Sequence, residues 1–256
     1  MIPEMLRWYE PQKQSPEETL QRVLDVEACR ALVSRKIYLY NQQLWETELE
    51  TLWTKEHPED ASYGSPWGFY TGINGIARYY EAQAQALPGE GLSLFRTVNT
   101  PVIFIAGDGK TAQGMFLMSG EETFGAEKAL HIYGRVAVDF VREKEGWKLL
   151  HWVDIYNMAQ KVGEDIAETK VTELPEEGLL RPLFLSGQPD LPMVTHYPEY
   201  HGTDGWPRYP RAHETMEPMT SYGPEGHPAF MKDIQDVNWL LRQAQLRAWG
   251  RTVETE

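Results

Sequence analysis

The chain has 256 residues, 41% hydrophobic and 24% charged, with 9 Trp and 13 Tyr, enough apolar material for one sizeable domain plus an extension. Its net charge is −14, from 38 acidic and 24 basic residues without a Lys/Arg-rich run, which excludes the cationic footprint of a nucleic-acid binder. The single cysteine, Cys29, excludes an internal disulfide framework, and no stretch resembles a secretory signal or approaches the roughly 20 apolar residues of a membrane span, so a cytoplasmic chain without a membrane partner is expected.

Residues 1–14 read as an arm. Ser15-Pro16-Glu17-Glu18 is a helix start, with Ser15 as cap, Pro16 at the first helical position and Glu18 completing a capping box. The pattern predicts a short helix to Leu24 and a second one, capped by Asp25, to about Gln43. The apolar stripe of this second helix is Cys29, Leu32, Val33, Ile37, Tyr40 and Leu44. Residues 48–53 suggest a third, short helix. Gly64, Pro66, Gly68 and Gly72 then mark a loop carrying Trp67, Phe69 and Tyr70, and residues 73–87 form another amphipathic helix ended by Pro88-Gly89.

From there the apolar period falls to two. Residues 101–106 and 111–118 read as strands joined by Gly107-Asp108-Gly109-Lys110, and 129–142 and 147–156 as strands joined by a turn at 143–146. Helices first and an antiparallel meander after them imply an α+β fold with helices against one face of a sheet. Beyond about residue 160 the composition shifts. Residues 174–228, rich in Pro, Gly, Tyr and His, read as an extended segment lying on the domain or on a neighbouring subunit, and 229–249 as a last helix ended by Gly250. This gives an arm (1–14), an α+β domain (15–160) and a C-terminal extension (161–256).

A polar group on an apolar face is the signal for chemistry. Lys36 takes an inward position on the stripe of the second helix. A desolvated lysine can act as acid or base, whereas an ion-paired lysine at a cavity rim is the structural alternative. Tyr40 lies one turn on, with Tyr38 and Asn41 beside it. In the last strand, alternation puts Trp147, Leu149, His151, Val153 and Ile155 on one face, so His151 is expected in the pocket, as a proton carrier or as a satisfied core histidine. In the strand before it, Leu130, Ile132, Val136, Val138 and Phe140 are expected to face the helices, and His131, Tyr133, Arg135 and Asp139 to face away. His196 and His201 lie five apart in the extension without a Cys or a His-Glu-x-x-His partner, so no metal is expected there and a lid is the preferred reading. The sequence contains no dinucleotide-binding glycine motif, P-loop or nucleophile elbow, and no cofactor is expected.

Four stretches, ACRALVSRKIYLYN followed by ELETLWT, GFYTGINGIARYY, TPVIFIAGDGKTAQGMF and YGRVAVDFVREKEGWKLLHW, together resemble the SnoaL-like proteins of the nuclear transport factor two superfamily over about residues 15–160. That resemblance implies a cone-shaped, curved antiparallel sheet closed by the N-terminal helices around a small-molecule pocket. Family dehydratases place a tyrosine and, five residues later, an aspartate where this chain has Lys36 and Asn41, so a different proton carrier is implied. The expectation is a cofactor-independent lyase releasing water or formaldehyde from a bulky hydroxylated ring compound, such as a lignin-derived diarylpropane. Lys36, His151, Tyr40 and Asn41 are the catalytic candidates. Tyr38, Trp45, Trp67, Tyr70, Phe116, His131 and His196 are the candidates for contact with substrate, and a homodimer or homotrimer is expected. Two alternatives stand beside it. One is a non-catalytic binding module, favoured by an ion-paired Lys36 among packed walls. The other is a ketosteroid-type isomerase, for which only Asp139 and Asp154 could serve as base, both on less favoured faces.

Overall fold

The computed structural model of the chain describes residues 15–65, 68–86, 93–123, 129–163, 189–192, 210 and 213–226. The arm, Trp67, His196 and the terminal helix lie outside these residues.

Helix α1 (Pro16–Asn41) opens as its sequence dictates. Ser15 Oγ accepts from the Glu18 amide at 3.2 Å, and the Glu18 carboxylate accepts from the Ser15 amide at 2.8 Å. It is one helix where a break was expected at Asp25. That residue is buried inside the helix and caps nothing. Its carboxylate accepts from Trp147 Nε1 at 3.1 Å and pairs with Arg142, so tertiary partners hold it within the helix. Helices α2 (Trp45–Thr51) and α3 (Gly72–Ala86) follow.

The sheet has the order β3-β4-β5-β6-β1-β2-β7 among the described residues, with β1 (Ser62–Ser65), β2 (Gly68–Thr71), β3 (Ser93–Ile105), β4 (Thr111–Thr123), β5 (Ala129–Glu143), β6 (Gly146–Lys161) and β7 (Leu191–Pro192). The four long strands are antiparallel, as the meander predicts, and their bulges and curvature wrap the helices. The segment read as a glycine-rich loop is the β1–β2 hairpin, whose first strand runs parallel to β6. Its glycines serve packing: a Cβ on Gly64 would come within 3.0 Å of the Phe69 and Val153 side chains.

Between the helices and the concave face lies the main core, with Cys29, Leu32, Val33, Tyr40, Trp53, Tyr63, Tyr79, Phe116, Ile132, Val136, Phe140 and Trp152. A smaller cluster on the opposite face joins Phe69, Met115, Ala137, Val153 and Ile155 to Tyr222 of the C-terminal extension. The helices therefore cover one face of the sheet and residues 213–226 lie against the other.

Two bulges in β6 decide which side chains enter the cone. Asp139 pairs with His151 but Phe140 with Leu149, leaving Leu150 as an extra residue. Tyr133 pairs with Met158 but Gly134 with Tyr156, leaving Asn157 as another. The extra residue at 150 reverses the alternation. Trp147 and Leu149 face the helices, but so do Trp152, Asp154 and Tyr156, while His151, Val153 and Ile155 face the extension. The expectation that His151 shares the face of Trp147 and Leu149 is corrected accordingly.

Candidate active site

The cone interior holds a buried polar network ringed by aromatic side chains. Lys36 points inward from α1 and is 1% exposed, as its place in the stripe predicts. Its Nζ lies 3.4 Å from Glu48 Oε1 of α2 and 3.4 Å from the Tyr80 hydroxyl of α3, and sits 4.1 Å from the centre of the Trp152 ring. Tyr80 donates to Glu48 Oε1 at 2.5 Å and Trp53 Nε1 donates to the same oxygen at 3.1 Å. The other oxygen of Glu48, Oε2, is also buried and has no hydrogen-bond partner among the described residues.

A second group adjoins the first. Arg96 of β3 donates through Nε to Glu122 and through Nη1 to Asp154, both at 2.6 Å, and through Nη2 to the Tyr156 hydroxyl. Asp154 also accepts from Tyr63 at 2.5 Å and from Trp152 Nε1 at 2.8 Å. Tyr40 lies between the groups. Its hydroxyl donates to Glu122 at 3.4 Å, and its ring lies 4.5 Å from the Arg96 guanidinium carbon and 5.3 Å from Lys36 Nζ.

Burial and neighbouring charge oppose one another here. Burial pulls the Lys36 ammonium below its ordinary value, against the raising influence of Glu48 and Asp154. Burial alone would raise Asp154, yet the Arg96 and Lys36 charges and the bonds from Tyr63 and Trp152 bring it below the ordinary value. Burial pushes the Tyr40, Tyr63, Tyr79 and Tyr80 phenols up, so they serve as hydrogen-bond donors that keep their protons. Lys36, Tyr80 and Glu48 thus form a continuous hydrogen-bonded group of titratable side chains buried from solvent.

The other expected residues separate. Asn41 is a clamp: its amide donates to the Arg96 carbonyl and accepts from the Arg96 amide, both at 2.9 Å, fixing the end of α1 on β3. Tyr38 is 74% exposed and points away from the cone. Trp45 stacks on Tyr80 at 5.7 Å, Tyr70 packs on Tyr79 at 4.7 Å, and Phe116 lies in the main core. His131 is on the face away from the helices, 3.3 Å from Glu121.

His151, on that same outer face, bonds Ser62 through Nδ1 at 2.9 Å and Glu225 through Nε2 at 3.2 Å. Asp139, opposite it in register, accepts from Gln113 at 2.8 Å, from the Ser221 hydroxyl at 3.0 Å and from the Tyr222 amide at 2.6 Å. A cleft of about 480 Å³ lined by Ser62, His151, Ser221 and Glu225 opens there, outside the cone. Asp154, placed by straight alternation on a less favoured face, is inside.

Glu48, Arg96, Glu122, Tyr63 and Tyr80 escaped the sequence reading. Arg96 could have been found, since Leu94, Arg96 and Val98 alternate with exposed Phe95. Glu48 sits among Glu46 and Glu50 without local distinction. Among the described residues no group of three or more His, Cys, Asp or Glu side chains is arranged to hold a metal ion, and no helix is long and apolar enough to cross a membrane.

Several solved structures resemble this one. A protein from Novosphingobium aromaticivorans assigned as a scytalone dehydratase shares 14% identity, covering 57% of this chain and 93% of its own, with a TM-score of 0.48. A hexachlorocyclohexane dehydrochlorinase, LinA-type3 from Novosphingobium barchaimii, shares 15% over 57% of this chain and 96% of its own, with a TM-score of 0.47. A nuclear transport factor two-like protein with a cystatin-like fold from N. aromaticivorans shares 20% over 59% and 90%, with a TM-score of 0.41. No curated protein matches the chain. The family model of the SnoaL-like domain matches residues 21–153, just over half of the sequence, from within α1 to within β6. The chain belongs to the SnoaL-like domain family of the nuclear transport factor two superfamily.

Proposed function

We propose that this chain is a cofactor-independent lyase working in the cone interior on a hydroxylated ring compound. The observation that carries the reading is the sealed Lys36–Tyr80–Glu48 group, in which an ammonium of lowered pKa touches a phenol that donates to a carboxylate. Elimination of water needs a base to take a proton from carbon and an acid to protonate the departing hydroxyl. Glu48 and Lys36 can supply the two roles, and the proton left on Glu48 returns to Lys36 through Tyr80. Release of formaldehyde uses the same pair: the base takes the hydroxyl proton, the carbon–carbon bond breaks, and the acid protonates the carbon left behind. Tyr40, held by Glu122 and Gln83, is placed to orient a substrate oxygen.

One observation favours a second reading. Lys36 is ion-paired and the surrounding rings are packed, as a module that holds a ligand without transforming it would require.

Mass spectrometry of metal-free protein incubated with aryl and alicyclic diols, native chain against Lys36→Ala, separates the two. Water or formaldehyde released by the native chain and not by the variant supports the lyase. Ligand retained by both without turnover supports the binding module.

A further inference from the structure

We propose that the unpartnered Oε2 of Glu48 is the point at which the cone reads its ligand, and that the ligand is a neutral ring compound presenting a free hydroxyl. This rests on the reading above only in that the cone takes a small molecule; it does not require that the molecule react. The carboxylate is lopsided. Oε1 accepts from Tyr80, Trp53 and Lys36, whereas Oε2, also sealed from solvent, accepts from nothing among the described residues. An unsatisfied buried acceptor is costly, and more so when charged. Three donors converging on Oε1 also stop the group from turning, so the bare oxygen keeps a fixed direction.

Ligand chemistry follows from what that oxygen accepts. A hydroxyl supplies the missing proton, and the corresponding methyl ether has none. A ligand carboxylate would add negative charge to an interior where Glu48, Glu122 and Asp154 already outnumber Lys36 and Arg96. Trp45, on the same helix as Glu48, stacks on Tyr80 to present a flat apolar wall, and its buried Nε1 is also without a partner among the described residues. An unmet acceptor beside an aromatic wall matches a ring compound that keeps at least one hydroxyl hydrogen.

Isothermal titration calorimetry at neutral pH with catechol, guaiacol, veratrole and benzoate tests this on the full chain. The native protein should bind catechol at least about 10-fold more tightly than veratrole, with guaiacol between them and benzoate weakest. In Glu48→Gln the carbonyl oxygen stays with its three donors and the amide NH2 stands where Oε2 stood, so the catechol preference should fall to parity or reverse toward veratrole. Equal binding of catechol and veratrole by the native chain overturns the proposal, whether or not the variant folds. An unchanged preference in a folded Glu48→Gln also overturns it. A catechol preference without turnover of any diol would sink the lyase and leave this inference standing.

Discussion

At the scale of single residues, the molecule hides a lysine, an arginine and three carboxylates in an aromatic shell and makes them tolerable by pairing. Removing one member of such a pair strands the other. Lys36→Met leaves Glu48 buried without its cation and should lower stability by about 3–5 kcal/mol in urea denaturation, while Lys36→Met with Glu48→Gln should recover much of that loss. A single variant as stable as the native chain would show that the pair is not a buried ion pair at all. Lys36 was legible in the sequence because it is the one charged side chain on the apolar stripe from Cys29 to Tyr40, and burial is what a stripe reports. Its partner was not, because the contact between α1 and α2 depends on how two helices pack, which no local pattern encodes.

At the scale of elements, the capping box and the two long hairpins could be read directly, since caps, turns and period-two alternation are local. The bulges could not. The extra residue at Leu150 leaves the sequence looking like an uninterrupted strand, yet it turns His151 out of the cone and brings Trp152, Asp154 and Tyr156 in. The β1–β2 hairpin was hidden by its glycines for a related reason: close packing against β6 demands them, and in sequence they read as a loop. Gly134, at the second bulge, faces the same constraint, because a Cβ there would meet the Ile155 carbonyl oxygen at 1.9 Å. Gly134→Ala should cost about 1–3 kcal/mol in thermal or chemical unfolding, and a neutral effect would contradict the bulge geometry. Ser15→Ala should cost about 1 kcal/mol through loss of the cap on α1.

At the scale of the whole molecule, the sheet separates two polar assemblies, one inside the cone and one under residues 213–226. The outer one pins the extension through Asp139, His151 and Glu225. Burial pushes the Glu225 carboxyl up, but the bond to His151, its charge and the Ser221 hydroxyl bring it down to about 2 from an ordinary 4.5. A depressed carboxylate stabilises the docked state above its unfolded value and loses that contribution as pH falls through the folded one. Hydrogen-exchange protection of the Tyr222 and Gly223 amides should therefore be complete above pH 4.5 and decline toward pH 2. Protection unchanged across that window would mean that Glu225 does not hold the segment. Tyr222→Ala should release the same amides with little effect on unfolding of the cone, because Tyr222 belongs to the outer cluster alone.

The claim that the chemistry belongs to the cone interior is tested most directly by turnover of the same diol panel with Lys36→Met and His151→Gln, both checked for folding. Lys36→Met should lose product formation while His151→Gln keeps it close to the native level. Activity that survives in the folded lysine variant and vanishes in the histidine variant would contradict it, and would move the chemistry to the cleft on the outer face.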